Sequence, residues 1–301
     1  MTAVESSFAE AAWHSEEPAV SPRSYWREVG QRYVRNVSGM VATGVLAVLV
    51  LSAIFAPLLT GYDPGASDPL HRLLPVGSSG HLLGTDELGR DMTARLLYGG
   101  RTSLLNGFVP VLGATVAGLA LGMWAGLSRP LTSNVIMRSM DVLYAFPAIL
   151  LAISISTSLG PGISNAMIAT TIIFVPPVCR IAQAATREIA VKEYVEAARM
   201  TGAGTVRLVR TQILPNVFTP VAAYASGLLG ISMIIAASLS FLGLGIQPPT
   251  PEWGFMLQSL RGSIYGAAIV ATLPGAMIFL TSIAFNRMSD AFQEAMNVRS
   301  S

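Results

Sequence analysis

The sequence predicts an all-α polytopic membrane protein with six transmembrane helices and both termini in the cytoplasm. Composition is the first reason: of 301 residues, 52% are hydrophobic and 12% charged, about half the charge of an ordinary soluble domain. The second is a series of apolar runs at roughly 40–59, 103–127, 139–158, 163–181, 217–240 and 264–285. Each is near the ~20 residues that cross a ~30 Å hydrocarbon core. The third is the distribution of basic residues, one lysine and eighteen arginines. With the N-terminus inside, the inner segments hold fourteen of these nineteen and the outer segments Arg72, Arg90, Arg95, Arg101 and Arg261. That asymmetry sets the orientation.

Residues 1–22 contain Glu5, Glu10, Glu16 and Glu17 and no lysine or arginine. They lack the positive start and short apolar core of a signal peptide, so they read as a disordered acidic tail. Residues 23–60 read as an amphipathic elbow helix followed by the first span. Trp26, Val29, Tyr33 and Val37 share one helical face, which suits a helix lying on the inner membrane surface with its aromatics at headgroup depth. A charged start to span one is the plainer alternative. Residues 61–101 form a long external connection. There Thr85 or Asp86 can cap a short helix, and Arg90 and Arg95 can pair with Asp86 and Asp91.

Residues 102–290 hold the five-helix core. Gly118, Gly122 and Gly126 recur every four residues in span two, a stripe that allows close helix approach, within this subunit or to a partner. Asp141 and Arg138 are spaced as an i,i+3 ion pair near the inner end of span three. Pro176 and Pro177 interrupt span four, either as a hinge for a gate or as packing kinks. Cys179 has no cysteine partner and reads as a small buried apolar residue. In the last outer loop Gly243 and Gly245 can end a helix and Trp253 suits the membrane interface. Residues 255–262 read as a short amphipathic helix, and 291–301 as a cytoplasmic tail.

Between spans four and five lies a polar, basic loop, residues 193–216, EYVEAARMTGAGTVRLVRTQILPN. Glu196, Ala197 and Ala198 end a first helix whose left-handed stop falls at Gly202. Leu214 and Pro215 mark a break before the next span. A merely solvated loop has no packing reason for a helix, a glycine stop and a second helix. A loop docked on a soluble partner has one.

This loop resembles the EAA loop of binding-protein-dependent ABC importer permeases, with Gln212 at the family's isoleucine position and Ile213 beside it. The stretch LGTDELGRDMTARLLYGGRTSL at 83–104 is similar to the segment before span two in C-type subunits of peptide and nickel importers. The loop SLSFLGLGIQPPTPEWG at 238–254 resembles the same family, and the ending AFNRMSDAFQEAMN departs from its pattern at Ser289 and at Gln293-Glu294. The resemblance implies the type I ABC importer permease fold in the cell membrane. It implies as partners a second, B-type permease, one or two cytoplasmic ATPase chains and an extracytoplasmic substrate-binding protein, besides the lipid bilayer. No nucleic acid is implied. Glu193, Glu196, Ala197, Ala198, Gly202, Leu214 and Pro215 then form the ATPase-coupling loop. Asp86, Arg90, Asp91 and Arg95 become candidates for receptor contact, against the alternative of a self-satisfied external plug.

The expected function is a permease, not an enzyme, moving dipeptides or oligopeptides. Nickel chelates, glutathione, haem and short sugars are alternative cargoes. The rival classes are a secondary carrier or channel not driven by ATP, and a membrane scaffold. A P-loop needs Gly-Lys-Ser/Thr, and the only lysine, Lys192, lies between Val191 and Glu193. Any ATP and Mg therefore belong to partner ATPases, and this chain binds no cofactor. His14, His71 and His81 show no metal-ligand spacing. Intramembrane charge is too sparse for a proton relay, and no inverted repeat is evident.

Overall fold

A computed structural model describes residues 22–296, with side chains from residue 27 onward. Residues 1–21, the Trp26 side chain and residues 297–301 of the expected tail lie outside the described residues. Among the described residues the regular elements are helical, with two isolated bridges in the 78–91 segment. The main helices are α1 (Pro22–Arg35), α2 (Val37–Ile54), α3 (Met92–Leu127), α4 (Pro130–Tyr144), α5 (Ala148–Leu159), α6 (Ile163–Ala190), α7 (Glu193–Met200), α8 (Leu214–Phe241), α9 (Trp253–Ser259) and α10 (Ala268–Met296). Five spans are long and apolar enough to cross a bilayer: α2, α3, α6, α8 with the helical turns before it, and α10. The pair α4–α5 makes a sixth if read as one broken span.

That pair corrects the expectation of one continuous helix over 139–158. It bends by 92° across residues 145–147. Pro147 has no N–H to continue the ladder, and its ring drives Phe146 out of the helical region. Span two is also longer than its apolar run. It begins at Met92 because the Asp91 side chain accepts the Ala94 amide at 2.7 Å, so capping, not hydropathy, sets its start. The short helix expected after Thr85 or Asp86 is absent, and the Asp86 carboxylate instead accepts the Leu88 amide in a turn at 2.9 Å. The last helix likewise continues past residue 290 to Met296.

Helices α3 and α6 run parallel along the glycine stripe. A Cβ at Gly118 would lie 2.7 Å from Val178, one at Gly122 2.5 Å from Ala182, and one at Gly126 2.7 Å from Thr186. Both helices advance four residues per contact, so small residues sit opposite each other turn after turn. The stripe is thus occupied within the subunit and is not free to receive a second chain. Cys179 lies buried in this seam.

Helix α8 packs between α3, α6 and α10. Ser282 donates to the Gly230 carbonyl at 2.9 Å, and the Ser226 and Ser289 hydroxyls meet at 2.8 Å. Polar groups in apolar surroundings find partners across helices because no water is there to serve them. Helix α2 lies against α10 and α3. Asn36 Nδ2 donates to Glu294 at 2.8 Å, so the start of α2 and the far end of α10 share one end of the bundle. The loop at 191–213 emerges at that same end, since Gly227, midway along α8, already lies beside Gln293 and Ser289 near the end of α10, and the first half of α8 leads away from there to the loop.

Candidate functional site

The loop at 193–213 is built from the core outward. Lys192 precedes α7 in an extended conformation, and Glu193 and Glu196 occupy its first turn, where carboxylates complement the helix dipole. Val195 is fully buried in the main core with Leu208, Ile213 and Val217. Glu193, Glu196, Ala197 and Met200 fall at i, i+3, i+4 and i+7, all on the exposed side. Ala197 and Ala198 were expected to face a partner together, and here they separate. Ala198 packs partly buried against the core, and Ala197 is exposed. Met200 is 90% exposed and Val206 72%. These two apolar side chains were missed by the sequence reading, although their solitary placement in a polar segment was a visible signal.

Gly202 ends α7 with φ +82°. Its amide donates to Arg199 O at 2.9 Å and the Ala203 amide to Ala198 O at 3.2 Å, the paired closure of a Schellman motif. A Cβ at Gly202 would meet nothing within 4 Å, so backbone conformation alone asks for glycine there. Past Gly204 the chain turns helical again at Thr205–Leu208 and widens into a π turn over Val209–Ile213. The expected break at Pro215 is absent. Pro215 lies in the first turn of α8, and the π turn just before it carries the helix past the missing N–H. Ile213 is buried and Leu214 half-buried. An open cavity of about 830 Å³, lined by Gly204, Thr205, Val206, Arg207, Arg210 and Thr211, lies beside the turn.

The external segment is a second cluster. Asp86 accepts from the Leu88 and Arg90 amides, from Arg90 Nε at 2.7 Å, and lies 3.3 Å from Arg95 Nε. Arg95 also donates to the Pro64 carbonyl at 3.0 Å. Asp91 takes His81 Nδ1 at 2.9 Å in addition to capping α3. Asp86 is 2% exposed and Arg95 1%. The four residues named for receptor contact are therefore buried and paired with one another or with neighbouring groups, as in a self-satisfied plug. Two charges this deep are held by mutual pairing. A Cβ at Gly89 would fall 1.7 Å from the Asp68 carbonyl, so the turn between Asp86 and Arg90 closes only around glycine.

The plug continues into α9. Trp253, expected at the lipid interface, is 1% exposed. Gly99 and Gly100 of α3 leave room for its ring, and its Nε1–H donates to the Leu96 carbonyl at 2.9 Å. Glu252, also 1% exposed, caps α9 by accepting the Gly254 and Phe255 amides. It accepts the Ser103 hydroxyl at 3.1 Å too. Sequence reading missed Glu252, because its partner stands 149 residues away.

Asp141 was paired on paper with Arg138. Those groups are 4.0 Å apart, whereas Arg180 of α6 reaches Asp141 at 2.6 Å and stacks 4.7 Å from the Tyr144 ring. Pro176 and Pro177 lie within α6, which stays helical from Ile163 to Ala190.

Residues 118–299 match the family described as the binding-protein-dependent transport system inner membrane component. Residues 24–75 match the N-terminal transmembrane domain of oligopeptide transport permease C. The chain belongs to this permease family. It is 39% identical over 286 residues to the di/tripeptide transport system permease DppC of Pseudomonas aeruginosa, covering 93% of this chain and 94% of the relative. It is equally 39% identical over 277 residues to the glutathione transport system permease GsiD of Pectobacterium atrosepticum, covering 92% of each. The fold is that of solved importer chains as well. The inward-facing MetNI methionine ABC transporter superposes with a TM-score of 0.50 at 21% identity, over 67% of this permease and 97% of the other chain. An amino acid ABC transporter superposes with a TM-score of 0.51 at 17% identity, over 67% and 94%. This permease is a multi-pass inner-membrane component of a transport system.

Proposed function

We propose that this permease moves short peptides inward through an ATP-driven importer, receiving them from an extracytoplasmic binding protein. The observation that carries the substrate class is the likeness, over more than nine-tenths of both chains, to relatives named for di/tripeptides and for glutathione. Glutathione is itself a tripeptide, so both names point to the same cargo chemistry. ATP and Mg act on separate ATPase chains, and a second, B-type permease completes the pathway.

In this reading the exposed face of α7 docks on the ATPase, with Glu193, Glu196, Ala197 and Met200 at the contact. Gly202 fixes the angle of that helix, and the π turn ahead of Leu214 and Pro215 ties its position to α8. Movement of the loop then reaches the span directly. Pro176 and Pro177 thin the hydrogen-bond ladder of α6 and supply a bending point for the gate. Uptake of a labelled dipeptide into cells tests the reading. It stops when the copurifying ATPase loses its phosphate-binding lysine, and uptake that survives this change overturns it.

A further inference from the structure

We propose that the junction of α1, α2 and α10 is a seat for the phosphodiester headgroup of an anionic phospholipid, with an acyl chain lying along α2. A cavity of about 520 Å³ opens there, lined by Arg32, Arg35, Asn36, Val37 and Glu294 among others. Its charge favours an anion. Arg35 has no carboxylate partner among the described residues, and Arg32 pairs with the half-buried Glu28 one turn back on its own helix at 3.2 Å, a carboxylate outside the lining. The one acid in the lining, Glu294, already accepts from Asn36 Nδ2. Asn36 in turn caps α2 through the Gly39 amide at 3.0 Å, so the positive end of the α2 dipole is turned to the same place.

What lies below the cavity points to a lipid. Val37, Val41, Gly44, Val48 and Leu51 fall at i, i+4, i+7, i+11 and i+14, and all five are exposed. A Cβ at Gly44 would touch nothing within 4 Å. The stripe is an open apolar track of about 14 residues, some 21 Å at 1.5 Å per residue, close to the reach of an acyl chain. It starts at Val37, which also lines the cavity. A phosphate held by two guanidiniums with hydrocarbon directly beneath it is a phospholipid geometry, and a soluble anion would have no use for the track.

The test uses the purified importer complex containing the full chain. Phosphatidylglycerol raises its Tm more than phosphatidylcholine does, since a ligand that binds only the folded state stabilises it. In R32Q/R35Q the difference disappears, with about fivefold weaker phosphatidylglycerol affinity per arginine removed. R27Q, an exposed arginine of α1 outside the lining, keeps it. Lipid extracted from the complex agrees, phosphatidylglycerol being retained by wild type and R27Q and depleted in R32Q/R35Q. Equal loss in R27Q would reduce the effect to diffuse surface charge and overturn the seat. Full reproduction of the shift by inorganic phosphate would overturn the lipid assignment. So would equal stabilisation by phosphatidylcholine.

Discussion

Single residues carry two kinds of constraint here, conformational and electrostatic. At Gly202 the space is open and only φ matters, so Gly202→Val costs about 1–2 kcal/mol in backbone strain. The expected outcome is a complex that assembles but hydrolyses ATP without moving peptide, read as ATPase activity against uptake in proteoliposomes. Normal coupling in that variant would reduce the loop to a solvated connection. At Asp86 the constraint is charge. Asp86→Ala leaves Arg90 and Arg95 buried without their shared carboxylate, and losing one partner of a buried pair costs about 3–5 kcal/mol. A fall in Tm is expected, and an unchanged Tm would mean water reaches the pair. Gly202 was legible in the sequence because its signal is local: a helix pattern, a glycine and a turn. The inward aim of Asp86 was not, since a charged external loop reads the same whether it faces a receptor or folds on itself.

At the scale of elements, the α3–α6 seam decides the packing. Gly122→Leu would push against Ala182 Cβ and the Cys179 carbonyl, both 2.5 Å from the new Cβ. Overpacking of this kind costs about 1–3 kcal/mol. Cys179 reports on it without a new label. In wild type the thiol is buried and resists maleimide, whereas in Gly122→Leu it is expected to react before global unfolding. Equal protection in both proteins would show that the seam absorbs the leucine. The bend between α4 and α5 belongs to this scale too. Pro147 stood in the sequence, but four other spans carry internal prolines and stay continuous. Whether a proline kinks or breaks a helix depends on the neighbours that re-satisfy the freed carbonyls.

For the whole molecule, the apolar side chains left exposed on α4 and α5, including Val135, Val142 and Leu150, and Phe146 at the bend between them, leave room for the second permease that the reading requires. Since the glycine stripe is consumed internally, cross-links from α4 or α5 are expected to capture a related permease chain, and cross-links from the stripe none. An active complex holding only copies of this chain would overturn the heterodimer. The sequence by itself determined five of the spans, the asymmetry of basic residues, the helix–glycine–helix form of the 193–208 loop and the family, because each is written in local composition, period or contiguous motif. Only the tertiary structure decided which faces are spent and which are free. It turned Asp86, Arg95 and Trp253 inward, joined Glu252 to Ser103 and Asp141 to Arg180, and closed the glycine stripe on α6. Those outcomes depend on contacts between residues far apart in the chain, and the energy that selects them, pairing of buried charge and close apposition of small residues, exists only once the helices have met.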